Sequence, residues 1–265
     1  MTAIQATQWN ALTARIAIFP VVPFSDPPSS INLYKAVWGA DPDQFFKQPN
    51  PLRPSVAQGV IGGVLANCAV LQSRIDFSLG PAPSNSPDDS DLPTIEDTSQ
   101  VRKELVKIID SVKSGIITEP VGRVATVVQF IIVASTFSDA NRILVAAMPN
   151  QYKITLADEE DFIFQVNRAH RVVDNIRMNF LKKWSVERFQ IVNVPISIGP
   201  GAPPSPTFNV QPVEILAASV TFDNNNMPQL IPIDHENQAL LLNRGLSQVA
   251  QDQRDFGMNI AGFEP

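Results

Sequence analysis

Between Thr98 and Ser114 the apolar residues Val101, Leu105, Ile108 and Val112 recur every three or four positions, while Arg102, Lys103, Lys107 and Lys113 stay off that stripe. This period predicts a helix over 98–114, packed through the stripe, with Asp97 or Thr98 as cap and Gly115 as stop. Three further helices follow from the same signals. Ile31–Trp38 begins after Ser29-Ser30 and stops at Gly39. Asp139–Met148 has Ser138 as cap and Pro149 behind it. Glu236–Phe256 starts after Asp234 and carries Ala239, Leu242, Leu246, Val249 and Phe256 on one side, with Gln253 interrupting the series. Leu240 and Leu241 widen its apolar surface beyond a single docking stripe, so they are candidate partner contacts.

Other stretches carry the pattern of strands. Arg15–Val22 is short and stopped by proline. Val60–Leu71 and Arg74–Leu79 flank Gln72-Ser73 and predict a hairpin. Val121–Ser135 is nearly continuous in apolar residues, as in a central strand covered on both faces. Asp161–Val172 and Ile176–Leu181 alternate on either side of the turn signal Asp174-Asn175. Ser185–Val194 follows, and Val213–Phe222 runs into Asp223-Asn-Asn-Asn226, which reads as a turn. Strands follow strands and the helices intervene irregularly, which predicts an α+β fold: mostly antiparallel sheet packed by about four helices, joined by proline-rich loops. No internal repeat is legible. Residues 1–265 are expected to form a single α+β domain, at most two-lobed, with a flexible insertion at 81–95.

Proline sharpens this division. Of the 23 prolines, only Pro120 and Pro149 fall between residues 95 and 194. Proline removes a backbone donor and is excluded from helix interiors and central strands, so long regular elements belong in that interval. Pro81–Pro93, Pro195–Pro212 and Ser25–Ser30 are expected loops.

Composition narrows the function classes. The chain of 265 residues is 44% hydrophobic and 17% charged with net charge −6, which excludes a disordered chain and a basic whole-chain footprint for nucleic acid. The longest apolar run, Val124–Ala134, is far short of the ~20 residues that span a bilayer. The first twenty residues have no basic region ahead of an apolar one, and a single cysteine, Cys68, allows no internal disulfide. The expectation is a cytoplasmic protein without membrane partners.

Candidate chemistry is thin. The motifs of nucleotide loops, nucleophile elbows and zinc sites are missing, so no catalytic, cofactor or metal residues are assigned. Gly59-Val-Ile-Gly62-Gly63 leads into an apolar run rather than a helix and is expected to be a bulged strand entry. Cys68 lies in a predicted strand as a buried structural thiol, and His170 and His235 lack the local partner that a metal site would show. The acidic runs Asp88–Asp91 and Asp158–Asp161 lack the glycine of a calcium loop and are expected to be solvated.

One local charge feature stands out. Residues 162–192 carry Arg168, Arg171, Arg177, Lys182, Lys183 and Arg188 against Asp174 and Glu187, a net of +4, interleaved with Phe162, Phe164, Phe180, Trp184 and Phe189. On one sheet face such a set could grip RNA or single-stranded DNA by pairing with phosphates and stacking on bases. The leading expectation is instead a non-enzymatic accessory, regulatory or assembly subunit that acts through a protein partner or as a homo-oligomer, with Leu240, Leu241 and Trp184 as candidate contacts. The nucleic-acid subunit is the first alternative, and an enzyme with a dispersed site is the second. Residues 195–265 hold seven acidic and two basic residues, making the C-terminal region the acidic pole of the chain.

Overall fold

The computed structural model describes residues 8–47, 54–83, 91–152, 154–156, 160, 162–173, 175–191 and 213–263, of 169–173 the backbone alone. The elements in chain order are β1 (Asn10–Pro20), α1 (Ser30–Trp38), β2 (Gln44–Phe46), β3 (Ser55–Ile61), β4 (Val64–Leu71), β5 (Arg74–Pro81), α2 (Thr98–Lys113), β6 (Val121–Ala134) and α3 (Phe137–Ala146). A 3-10 turn at Asn150–Tyr152 leads on to β7 (Ile163–Val173), β8 (Ile176–Ile191), β9 (Val213–Asn226) and α4 (His235–Asp255). All described strands join one nine-stranded sheet in the order β2-β3-β4-β5-β1-β6-β9-β8-β7, and every pairing is antiparallel. This is the α+β class that the pattern predicts. No helix among the described residues is long and apolar enough to cross a membrane.

Helices cover one face of the sheet, and the other, the open face, carries no helix among the described residues. Because side chains alternate along a strand, residues opposite each other in the ladder share a face. One such row runs Ala57, Cys68, Phe77, Ile16, Thr126, Asn224 and Phe180. Each of these residues is buried, and the helices lie on this side. Trp38 of α1 meets Phe77, Phe256 at the end of α4 meets Phe222 and Trp184, and Trp184 Nε1 donates to Ala147 O behind α3. Helix α2 packs between α1 and α4 over β1, with Val101, Leu105, Ile108 and Val112 all buried as the stripe requires.

Element order shows the repeat that the sequence conceals. Residues 10–113 run β-α-β-β-β-α, with the short β2 as an addition, and residues 121–255 run β-α-β-β-β-α again. In each half the first strand pairs with the last strand of its own meander, β1 with β5 and β6 with β9. The two first strands then pair antiparallel with each other at the centre of the sheet. The halves differ at their outer flanks. Strand β2 covers the outer edge of β3, and α1 lies over β3 and β4. In the second half β7 is the edge strand, and α3 lies inward over β6, β8 and β9.

Several local expectations are corrected. The run Val60–Leu71 is two strands, because Gly62 (φ 58°) and Gly63 (φ 85°) form a two-residue hairpin turn of the kind that needs positive φ at both positions. Strand β8 continues through Lys182-Lys183 instead of breaking there. The Asp223–Asn226 run belongs to β9, and its three asparagines are buried. Asn226 Oδ1 accepts from Val124 N, and its amide nitrogen donates to Gly122 O and Met227 O, which explains how a polar run tolerates a core position. Helix α3 starts two residues earlier than expected, with Thr136 rather than Ser138 as its cap. Of the proposed insertion 81–95, residues 84–90 lie outside the described residues, while Ile95 is buried and bridged to Ala11. The whole 195–212 loop and, apart from Asp91 and Glu160, the two acidic runs also lie outside them.

Candidate binding cleft

Helix α4 is amphipathic, with one side packed and the other exposed. Asp234 caps it by accepting from Asn237 N. Leu241, Leu242, Leu246 and Val249 are buried on its inner side, and Gly245 brings its backbone close to the sheet. There Asn224 Nδ2 donates to Gly245 O over 2.8 Å. One turn before the end, Asp252 Oδ1 accepts from Lys182 Nζ of β8 at 2.6 Å and from Gln248 Nε2 at 3.0 Å. Burial pushes the Lys182 amine down and the Asp252 carboxyl up, in each case opposed by the partner's charge.

The outer side of α4 presents Leu240, Arg244, Ser247, Gln251 and Arg254, all exposed and spaced so that they form a stripe. Across from the stripe stands Arg168 of β7. Together with Gln248 and Asp255 these side chains from Arg244 onward line a cleft of about 360 Å³. Three arginines and one carboxylate thus line the same space. Asp255 accepts from Gln251 Nε2, and Gln251 Oε1 accepts from Arg254. Among the described residues Arg168 and Arg244 have no ion pair. The positive charge of Arg168 reaches the buried pair behind, where it disfavours the Lys182 cation and favours the Asp252 carboxylate. A planar guanidinium presents a fork of donors that fits carboxylate or phosphate oxygens.

The basic residues singled out from sequence do not form one surface. Arg168 lines the cleft, and Lys182 is sealed behind it at 1% exposure. Arg188 lies farther along the covered face, over the Phe137 ring and 3.0 Å from Glu160. Arg177 and Lys183 belong to the open face, where Lys183 pairs with Glu187. Arg171 stands opposite Met178 in the ladder, and its side chain lies outside the described residues, as does that of His170. Of the three proposed partner contacts, Leu240 is 41% exposed, whereas Leu241 and Trp184 are core residues.

Sequence reasoning missed Arg244 and Arg254. They are the two cations of the acidic C-terminal region, and both face the cleft. A second arginine group on the open face is internally occupied: Arg74 and Arg123 flank the Phe19 ring, and Arg74 pairs with Asp76 at 2.8 Å. His235 Nε2 contacts Ile117 O, and Cys68 is buried with its thiol pushed up by desolvation, so both are tied into the fold. No group of three or more His, Cys, Asp and Glu side chains is placed to hold a metal ion among the described residues. No family model matches the chain, and no curated protein or solved structure matches it significantly.

Proposed function

We propose that the chain is a non-enzymatic accessory or assembly subunit that binds a partner protein, and that the partner presents an acidic segment to the α4 cleft. The observation that carries this reading is that Arg168, Arg244 and Arg254 line one cleft, with Arg168 and Arg244 in no ion pair among the described residues. Exposed Leu240 lies one turn before Arg244 on the same stripe and supplies an apolar anchor beside the cations. A cleft for one or two anionic groups suits acidic side chains, and the dispersal of Arg177 and Lys183 to the other sheet face removes the continuous basic track that a nucleic-acid strand needs.

The test is fluorescence anisotropy of the full chain with a fluorescein-labelled glutamate-rich peptide, repeated with a single-stranded RNA of equal net charge. The expected result is saturable, salt-sensitive peptide binding, weakened at least about tenfold by Arg168→Ala/Arg244→Ala, a change corresponding to ~1.4 kcal/mol. Tighter binding of the RNA than of the peptide, lost in the same variant, would replace the protein partner with nucleic acid. Binding of neither would remove the cleft as a docking site.

A further inference from the structure

We infer that the outer edge of β7 receives an extended acidic segment as a tenth strand, whose alternate side chains turn toward the arginine cleft. The inference rests on the cleft being an acidic-segment site and adds the mode of recognition.

Strand β7 ends the sheet order, and its ladder with β8 is regular from Ile163 opposite Ser185 to Arg168 opposite Phe180. Over that stretch its other edge has no strand partner among the described residues. Unpaired N–H and C=O groups on such an edge are a template for a further strand. The stretch contains no proline, and Ile163 is 66% exposed at its start. A register shift between Arg168 and Arg171 ends the regular ladder just beyond the cleft residue.

The first half of the molecule already carries out the same addition on itself. Its counterpart of β7 is β3, and β2 pairs with β3 through Gln44 opposite Gln58, Phe45 opposite Ala57 and Phe46 opposite Val56. An acidic residue leads that added strand: Asp43 Oδ2 accepts from Val60 N at 2.9 Å. The two halves therefore share a place for an outermost strand, filled in one by the chain and, among the described residues, open in the other. Helix α3 also lies farther from the edge than α1 does, so α4 and Arg168 border the space above β7.

Geometry then sets which side chains meet the cleft. A strand added to β7 lies about 4.8 Å outward, and its residues opposite Phe164, Val166 and Arg168 share their face. Val166 and Arg168 are half-buried on the helix side, so every second residue of the incomer faces the α4 side. Acidic residues at those positions meet Arg168 directly and have Arg244 and Arg254 beside them. Charge complementarity selects this occupant over a second copy, because pairing β7 with its own image would bring two cationic clefts of the same chain together.

The probe is a fluorescein-labelled heptapeptide of alternating glutamate and valine, titrated against the full chain. Only alternate amides of an added strand point at β7. N-methylation of amides of one parity should weaken binding at least about tenfold, and of the other parity less than about twofold. Hydrogen exchange at residues 163–168 should slow when the parent peptide is bound. Equal binding of both N-methylated peptides, with dependence on Arg168 and Arg244 retained, would overturn strand addition and leave the cleft as an acidic-segment site. Failure of the parent peptide to bind would overturn both. A concentration-dependent dimer that protects 163–168 without peptide would assign the edge to a second copy and overturn the acidic partner.

Discussion

Lys182 Nζ and Asp252 Oδ1 lie 2.6 Å apart inside the protein, at 2% and 0% side-chain exposure, and fasten β8 to the last turns of α4. Phe256 adds its ring 5.3 Å from the same ammonium. A buried ion pair loses much of its attraction to desolvation, but removal of one partner strands the other charge. Lys182→Met alone should therefore cost ~3–5 kcal/mol, whereas Lys182→Met/Asp252→Leu should restore most of that stability. Urea unfolding of the two variants and the parent decides this. Equal loss in both variants would mean that the pair itself is strongly stabilising.

Tyr34 predicts alkaline sensitivity. Burial, with Asp43 and Glu104 adding, pushes its phenol up to about 12. An unfolded tyrosine ionises near ~10, so between these values the unfolded chain has released a proton that the folded chain keeps. Stability must fall as pH rises across that window, by up to about 1.4 kcal/mol per pH unit. The buried Cys68 thiol, also pushed up, adds a decline of the same sign that begins lower, near ~8.5. Urea unfolding of Cys68→Ala and Cys68→Ala/Tyr34→Phe from pH 9 to 12 should show a shallower slope above pH 10 in the second. Parallel curves would place Tyr34 in an environment that admits the phenolate.

Gly245 tests the approach of α4 to the sheet. A Cβ there would stand 3.1 Å from Thr126 Oγ1 and 3.3 Å from Asn224 Cβ, both on buried residues of adjacent central strands. Helix propensity alone would favour alanine by ~1 kcal/mol. Overpacking costs typically ~1–3 kcal/mol, and both neighbours are held by hydrogen bonds to α4, Thr126 Oγ1 to Leu242 O and Asn224 Nδ2 to Gly245 O, so Gly245→Ala should lower stability by ~1 kcal/mol net. A raised melting temperature would show that α4 can lift away from β6 and β9.

Adjacent leucines on α4 should behave oppositely. Leu241 is 1% exposed and Leu240 41%. Leu241→Gln buries an amide in the core and should destabilise by ~2–4 kcal/mol. Leu240→Gln should change stability by less than ~0.5 kcal/mol while weakening capture of the acidic peptide. Circular dichroism melts and the anisotropy titration separate the two effects. Matching melts with unchanged binding would remove Leu240 from the docking stripe.

What was legible in the sequence was local. Val101, Leu105, Ile108 and Val112 revealed α2 because a single helix face repeats within sixteen residues. The Val121–Ser135 run announced a central strand because β6 is flanked by β1 and β9, but it also suggested cover on both faces, whereas α3 and α4 lie on the same one. What was not legible depended on partners distant in sequence. Lys182 looked like a surface cation because Asp252, which makes its burial tolerable, lies on another element. Asn224, Asn225 and Asn226 looked like a turn because Gly245, Asn179 and Val124, which hydrogen-bond to their amides, lie on other elements. Gly62-Gly63 looked like a strand entry because both flanks are apolar, and only positive φ at both positions turns the chain back. The cleft was half visible, since Arg168 was noted among neighbours that point elsewhere, while Arg244 and Arg254 were masked by the acidic average of their region.

The antiparallel seam between β1 and β6 makes the molecule resemble a dimer whose two subunits are tied into one chain. The tether is the connection from Gly115 to Pro120, and it crosses from one half to the other without belonging to either meander. A chain opened at that tether leaves each piece with its own three-stranded meander, two helices and one bare strand awaiting an antiparallel mate. Such pieces should reunite when mixed, and a first half kept alone should seek a copy of itself through β1, since the mate that β1 has lost is its own counterpart.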